Sequence, residues 1–120
     1  MARITILQQS KDAVDYKAGQ VVFTQGDPAE LMYVVIDGAI DIEINGKVVG
    51  TVGPGEAFGE MALIENVARS GSAIARIDSR VVPLDRRQFL FMVTETPNFA
   101  LQLLGILAER LRAKNDLLVG

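Results

Sequence analysis

The sequence predicts a single, mainly β domain that ends in two helices. Short apolar runs recur between residues 12 and 85, and glycine or aspartate separates them, which is typical of consecutive strands joined by turns. The pair Asn45-Gly46 between two of these runs predicts a tight hairpin. After Asp85 the apolar residues take a helical spacing that continues to about Leu118.

The predicted strands follow the apolar runs along the chain. In one of them Ile40, Ile42 and Ile44 alternate with acidic residues, so one face of that strand should be buried. Asn45 and Gly46 both tolerate the positive φ that a type I′ turn requires. Pro83 has no N–H to donate, so we expect the last strand to be an edge strand or to end early. The predicted strands are residues 21–24, 32–36, 39–44, 47–52, 72–77 and 80–85.

Two helices are predicted after the strands, over residues 86–94 and from Pro97 to about Leu118. Thr96 and Pro97 suit the N-cap and the first position of the second helix. Residues 1–10 could form a helical turn or an extended arm. We therefore expect one domain over residues 1–120, with the β part at about 12–85 and the helices at about 86–118.

The last helix carries a leucine seam. Leu104, Leu107, Leu111 and Leu118 have the spacing of a contact with a partner helix, which predicts a homodimer. Packing of the helix on its own β unit explains the same leucines, since about two heptads are short for an independent coiled coil. Gly105 lowers helix propensity and is consistent with a close approach of two backbones.

Composition excludes several classes of function. The 120-residue chain has no cysteine and no histidine, so disulfides, thiolate metal sites and histidine general bases are absent, and we expect no enzyme. A net charge of −3 argues against direct nucleic-acid binding. Basic residues cluster at 86–87 and 110–114, where a solvated helix surface is the simpler interpretation. The sequence shows neither a membrane-spanning run nor a signal-peptide pattern, so we expect a cytoplasmic protein.

Residues 58–75 carry the chemistry that points to a ligand. A Gly59-Glu60 step opens a predicted helical turn, whose first amides have no intrahelical acceptor and suit an anion. Arg69 follows nine residues after Glu60 and supplies a planar, charged fork for phosphate oxygens. A carboxylate would repel a phosphate, so Glu60 needs another partner, and a sugar hydroxyl can donate to it.

This segment resembles the phosphate-binding cassette of the cyclic nucleotide-binding domain. Catabolite-activator-type regulators, protein kinase A regulatory subunits and cyclic nucleotide-gated channels share that domain. The resemblance extends over nearly the whole chain, including residues 16–27, residues 32–38 and the final helix. It implies an eight-stranded antiparallel β-roll, similar to a jelly roll, with an internal cassette helix and C-terminal helices. The matching cassette residues are Phe58, Gly59, Glu60, Met61, Ala62, Leu63, Arg69 and Ser70.

The resemblance also implies roles for single residues. Glu60 would accept the ribose 2′-hydroxyl, although it could instead cap its own turn. Arg69 would pair with the phosphate oxygens, although an isolated arginine is usually a surface residue. Phe58 is better explained as a core anchor than as a ligand contact. Backbone amides would complete the phosphate cradle, and they belong to Gly59, Met61, Ala62 and Ser70.

Other candidate contacts are less closely tied to the motif. Ser72 begins the next strand, and Val49 lies on a strand that would line the pocket, where ordinary strand packing explains it equally well. Lys114 and Asn115 fall where the bacterial regulators meet the adenine, but a solvated helix end is the simpler interpretation. Two positions depart from the family pattern, since Ala68 replaces a common proline and Gly71 a common alanine.

The resemblance implies a sensor that binds a cyclic nucleotide and moves its C-terminal helix, without chemistry on the ligand. We expect cyclic AMP rather than cyclic GMP, although the Ser70 hydroxyl leaves cyclic GMP open. We expect no DNA-binding domain in this chain. The alternatives are a regulatory piece of a longer protein and a ligand-free scaffold or dimerisation module. A metal-dependent cupin-like enzyme fails because the chain has no histidine.

Overall fold

Two four-stranded antiparallel sheets form the β part of the chain. The computed structural model describes residues 2–65 and 67–119, with side chains described as far as residue 114. The strands are β1 (Val14–Tyr16), β2 (Val21–Phe23), β3 (Leu31–Asp37), β4 (Ile40–Ile44), β5 (Lys47–Val52), β6 (Ala57–Phe58), β7 (Ser72–Ala75) and β8 (Ser79–Asp85). Their order is β1-β8-β3-β6 in one sheet and β2-β7-β4-β5 in the other. The expected eight-stranded antiparallel fold is confirmed.

Six of these strands coincide with the predicted runs to within about two residues, and two strands have no counterpart among them. β1 has three residues and β6 has two. Such short segments contain too few positions for an alternating pattern to stand out. The hairpin between β4 and β5 is confirmed, since Asn45 and Gly46 have φ of 52° and 82°.

We expected Pro83 to make the last strand an edge strand or to end it early. For β8 as a whole this expectation is wrong. β8 lies between β1 and β3 and continues to Asp85. β1 pairs only with residues 79–81 of β8, whereas β3 pairs with β8 as far as Asp85. At Pro83, β8 therefore has a neighbouring strand only on the side of β3. Because no strand lies on the other side, the N–H that proline lacks removes no hydrogen bond between strands.

Three helices complete the fold: α1 (Met61–Ile64), α2 (Arg86–Glu95) and α3 (Pro97–Val119). α2 begins with a capping box in which Asp85 and Gln88 exchange hydrogen bonds. Thr96 precedes Pro97 as expected, but its hydroxyl donates to the Met92 carbonyl at the end of α2 rather than capping α3. Among the described residues no single helix is long and apolar enough to span a bilayer. Only the bent pair of α2 with residues 97–114, at 112°, reaches that length and hydropathy.

The core has two parts because β3 presents alternate residues to opposite faces. Tyr33 and Val35 pack inside the roll, while Met32 and Val34 face the helices. The cluster on the helix side also contains Ile4 and Leu7, so the N-terminal segment joins the core. Residues 2–5 form an arm without regular structure, and residues 6–9 form hydrogen-bonded turns. The other large side chains between roll and helices are Leu63, Val82, Leu84, Phe99, Leu103 and Ile106.

The predicted seam of α3 keeps Leu104 and Leu111 but loses Leu107. Leu107 packs partly against the core, so it is not available to a partner helix. The exposed leucines are Leu101, Leu104 and Leu111, at 66%, 60% and 61% exposure. Leu118 lies outside the described side chains. Gly105 lies against Ala2 of the same chain, because an added Cβ would come within 2.7 Å of the Ala2 Cβ.

Candidate functional site

Arg69 is buried at the end of the cassette, with 8% of its surface exposed. Its Nη2 donates to the Leu31 carbonyl at 2.7 Å, and its Nη1 donates to the Gly59 carbonyl at 3.2 Å. The guanidinium carbon lies 3.9 Å from the centre of the Phe23 ring, which is a close cation–π contact. These contacts hold the guanidinium in one place. The simple surface explanation of this arginine is therefore wrong.

The Nε atom of Arg69 is buried and has no hydrogen-bond partner among the described residues. Burial lowers the pKa of Arg69, whereas electrostatic interactions with Tyr33, Asp27 and Glu60 and a side-chain hydrogen bond between its guanidinium and Tyr33 oppose that shift. A guanidinium stays protonated at neutral pH despite such a shift. An unpaired, buried N–H costs free energy until an acceptor reaches it. An anionic oxygen at Nε would relieve that cost, and because protein atoms cover Nε in this structure, a ligand would reach it only after Arg69 or its neighbours move.

A cavity of about 380 Å³ opens beside Arg69. Phe23 and Tyr33 form its aromatic wall, and burial raises the pKa of the Tyr33 phenol, which keeps it neutral. Phe58 is 2% exposed and stacks on Tyr33 with ring centres 5.0 Å apart, which favours its role as a core anchor. The remaining lining residues are Asp27, Pro28, Glu30 and Leu31.

Glu60 precedes α1 and is 9% exposed. Its side chain makes no capping hydrogen bond to the turn, so the alternative in which it caps α1 is wrong. Its Oε1 instead accepts from Nη1 of Arg110 at 3.3 Å. One carboxylate of the cassette is thereby tied to α3, which is fifty residues further along the chain.

Arg110 is a candidate site residue that the sequence interpretation missed. Its second Nη donates to the Ala57 carbonyl on β6, so the guanidinium bridges α3 to both sides of Gly59. The sequence placed Arg110 in a basic cluster and assigned it to solvent. The available signal was the Ala-Glu-Arg-Leu segment at residues 108–111, which resembles the family's dimer helix and contains this arginine.

The Gly59-Glu60 turn depends on a glycine. Gly59 has φ of 73°, and a Cβ there would come within 2.7 Å of Arg69 Nη1 and 3.4 Å of the Leu31 carbonyl oxygen. The Gly59 carbonyl accepts from both the Ala62 amide and Arg69. The turn that begins α1 and the arginine are therefore packed as one unit.

Gly59→Ala is expected to lower the free energy of unfolding by about 2–4 kcal/mol, since backbone strain and displacement of Arg69 add together. Gly46→Ala is the matched control. Gly46 also has positive φ, at 82°, but nothing lies within 4 Å of its Cβ position. It should cost only about 1–2 kcal/mol. Urea unfolding of both variants measures the difference, and equal losses would contradict the packing described for Gly59.

The other predicted site residues have less to hold them at the site. Ser72 is half-buried, and its hydroxyl accepts a hydrogen bond from the backbone N–H of Gln25 at 2.8 Å. Val49 lies on the edge strand β5 and is 60% exposed. The side chain of Asn115 lies outside the described residues. Ser70 and Met61 are exposed and Ala62 is buried. The structure thus brings together Gly59, Glu60 and Arg69.

Gly71, the unusual residue after the arginine, has a steric reason. An added Cβ would come within 2.7 Å of the Glu43 carbonyl oxygen on β4 and 3.2 Å of Ile44. The alanine that is usual at this position would therefore require β4 to move. The glycine lets β7 begin close against β4, so its effect is closer packing as well as a more flexible backbone.

Comparison with known proteins bears on the family and the fold of this chain. The family model for the cyclic nucleotide-binding domain matches residues 13–96. A CRP-like cAMP-activated global transcriptional regulator of Mycobacterium tuberculosis is 30% identical over 118 residues, covering 94% of this chain and 53% of the regulator. The crystal structure of Thermus thermophilus catabolite activator protein superposes with a TM-score of 0.74 at 34% identity, covering 89% of this chain and 54% of that one.

The same domain also matches part of an enzyme. Lysophospholipase NTE1 of Chaetomium globosum is 34% identical over 104 residues, which are 82% of this chain and 7% of the enzyme. The chain spans about half the length of the regulators that it matches. The similarity therefore concerns the domain, and it does not extend the activities of the larger proteins to this chain.

Proposed function

Because this chain belongs to the cyclic nucleotide-binding domain family, we propose that it binds cyclic AMP and transmits occupancy of the site to α3. The observation that carries the proposal is the buried, unpaired Nε of Arg69. It lies in a cassette whose relatives include a regulator named as cAMP-activated. A cyclic phosphate is a single negative charge with free oxygens, which is the acceptor that this donor lacks.

The ligand would engage both charged residues of the cassette. A phosphate oxygen would accept from Arg69 Nε, and the ribose hydroxyl would donate to Glu60. Since Arg110 occupies Oε1 of Glu60, the second carboxylate oxygen is the acceptor for the hydroxyl. Arg110 also offsets the repulsion between Glu60 and the phosphate. Met61, Ala62, Ser70, Ser72, Val49 and Asn115 are further candidate contacts.

Coupling to α3 would pass through Arg110. A hydroxyl that donates to the second oxygen of Glu60 would alter how strongly that carboxylate holds Arg110, and Arg110 is part of α3. The ligand shifts α3 only to the extent that it binds the protein more tightly with the helix in one position than with the helix in the other. This arrangement involves no reaction of the ligand, so we propose a regulatory rather than a catalytic role for the domain.

Isothermal titration of the chain with cyclic AMP and cyclic GMP tests the binding. We expect saturable heat with cyclic AMP and weaker binding of cyclic GMP. Hydrogen exchange of α3 amides, measured with and without cyclic AMP, tests the coupling. No heat with either nucleotide would contradict the proposal.

A ligand-free scaffold is the second candidate, and one observation favours it. Both Nη groups of Arg69 are already held by backbone carbonyls, and Glu60 is already paired with Arg110. Most of the polar side-chain groups of the cassette therefore have hydrogen-bond partners without a ligand. A scaffold predicts that the titration gives no heat and that stability is unchanged by either nucleotide.

We also propose that the chain forms a homodimer through the exposed leucines of α3. Leu104→Lys with Leu111→Lys is expected to convert a dimer into a monomer, because charged side chains would have to be buried in the seam. Leu90→Lys is the control, since Leu90 is a half-exposed leucine of α2. Sedimentation velocity measures the mass. A parent chain that is already monomeric, or a double variant that remains dimeric, would contradict this interface.

A further inference from the structure

We propose that Gly105 and Glu109 are positioning residues of the ligand site. They would dock α3 onto the N-terminal strap (residues 2–7) and so keep Arg110 on Glu60. This inference rests on the proposed function for its effect on ligand affinity. Its structural part concerns the ligand-free protein alone.

The strap is fixed to the β-roll at the turn between β5 and β6. The Ile4 amide donates to the Gly55 carbonyl at 2.6 Å, and the Arg3 guanidinium donates to the Pro54 carbonyl. Ile4 is 1% exposed and packs in the core with Leu7. Removal of these side chains from the core would cost hydrophobic free energy, so the strap is a stable part of the fold.

The strap is also fixed to α3. The Ala2 amide donates to Oε1 of Glu109 at 2.7 Å. One turn earlier, Gly105 leaves room for the Ala2 side chain, since a Cβ at Gly105 would lie 2.7 Å from the Ala2 Cβ. Residues four apart lie on the same side of a helix. Gly105 and Glu109 therefore form one docking face for the strap.

Arg110 immediately follows this face. It projects from a different side of α3, toward Glu60 and the Ala57 carbonyl. A rotation of α3 about its axis, or a slide along the roll, would move Arg110 away from Glu60. The strap opposes both movements because it joins the helix to the β5–β6 turn, whose far end leads into β6 and Gly59. Docking of the strap and the ion pair should therefore be coupled.

The first experiment removes the Glu109 carboxylate, which accepts the hydrogen bond from the Ala2 amide of the strap. Glu109→Ala is expected to weaken cyclic AMP binding about three- to tenfold, because only part of the free energy of this hydrogen bond to a charged group would reach the ligand site. Glu109→Gln keeps an acceptor oxygen and should bind like the parent. Arg112→Ala, an exposed position of the same helix, should also bind like the parent. In an Arg110→Ala background, Glu109→Ala should have no further effect, and additive losses would overturn the inference.

The second experiment adds a methyl group at Gly105 and then removes the methyl group of Ala2. Gly105→Ala places a Cβ against Ala2 and should displace the strap, although alanine raises helix propensity. Combining it with Ala2→Gly removes the opposing methyl group and should restore the parent affinity. A Gly105→Ala variant that binds like the parent, or a double variant that remains as weak as the single one, would overturn the inference.

A ligand-free measurement separates this inference from the proposed function. In the parent, the Nη1–H signal of Arg110 in nitrogen-15 NMR spectra reports its pairing with Glu60. We expect that signal to shift toward the value of a solvated arginine in Glu109→Ala and to remain in place in Glu109→Gln. If the parent binds no nucleotide, the proposed function fails while this shift still supports the positioning role. An unchanged signal in Glu109→Ala would overturn the positioning role even if the parent binds cyclic AMP.

Discussion

Arg69→Ala is expected to weaken cyclic AMP binding by about 2 kcal/mol or more, roughly thirtyfold, because it removes the charge-assisted pair with the phosphate. Arg69→Lys keeps the charge but not the planar fork, so it should lose an intermediate amount. Isothermal titration measures both. Arg76→Ala is the control, since Arg76 is a mostly exposed arginine with only a long 3.9 Å ion pair to Asp41. Equal binding by Arg69→Ala and the parent would contradict the role of Arg69.

Stability has to be measured beside affinity for this residue. Arg69 supports the carbonyls of Leu31 and Gly59 and covers the Phe23 ring. Its removal should therefore also lower the free energy of unfolding, by about 1–3 kcal/mol. Titrations at a temperature well below the unfolding midpoint keep the two effects apart.

Glu60→Gln is expected to reduce the preference for a ribose hydroxyl. The parent should bind cyclic AMP more tightly than 2′-deoxy cyclic AMP by about 1.5–3 kcal/mol, the value of a hydrogen bond to a charged group. In the variant this difference should fall below about 1 kcal/mol, because an amide oxygen is a weaker acceptor and Arg110 loses its charged partner. The comparison of two ligands cancels general effects of the substitution on the fold.

Glu56→Gln is the matched control for this carboxylate. Glu56 is also partly buried, and its Oε1 accepts from the Gly53 amide at 2.9 Å instead of from Arg110. Its substitution should leave the preference for the hydroxyl unchanged. A Glu60→Gln variant that still discriminates the two nucleotides like the parent would show that Glu60 does not meet the ribose.

Local chemistry explains which parts of the fold were predictable. The Asn45-Gly46 hairpin and the capping position before α2 depend on a few adjacent residues, so the sequence reports them directly. β1 and β6 are too short for a pattern. Pro83 was misleading because β1 ends before reaching it, and the extent of a neighbouring strand is a long-range property.

The site was predictable in its motif and not in its contacts. Gly59, Glu60 and Arg69 follow from the chemistry of an anion and a hydroxyl. The partners of Arg69 are backbone carbonyls, which any residue type supplies, so no side-chain pattern marks them. The ion pair of Glu60 with Arg110 joins elements that are distant in the sequence. The helical pattern around Arg110 does not indicate which residue it pairs with. The contact between Gly105 and Ala2 was hidden for the same reason.

A crystal structure of this chain grown with cyclic AMP tests the central claim most directly. The account predicts a phosphate oxygen within hydrogen-bond distance of Arg69 Nε and the ribose 2′-hydroxyl on the Glu60 carboxylate. A nucleotide bound elsewhere, or an Arg69 Nε that remains unpaired in crystals saturated with the nucleotide, would contradict it.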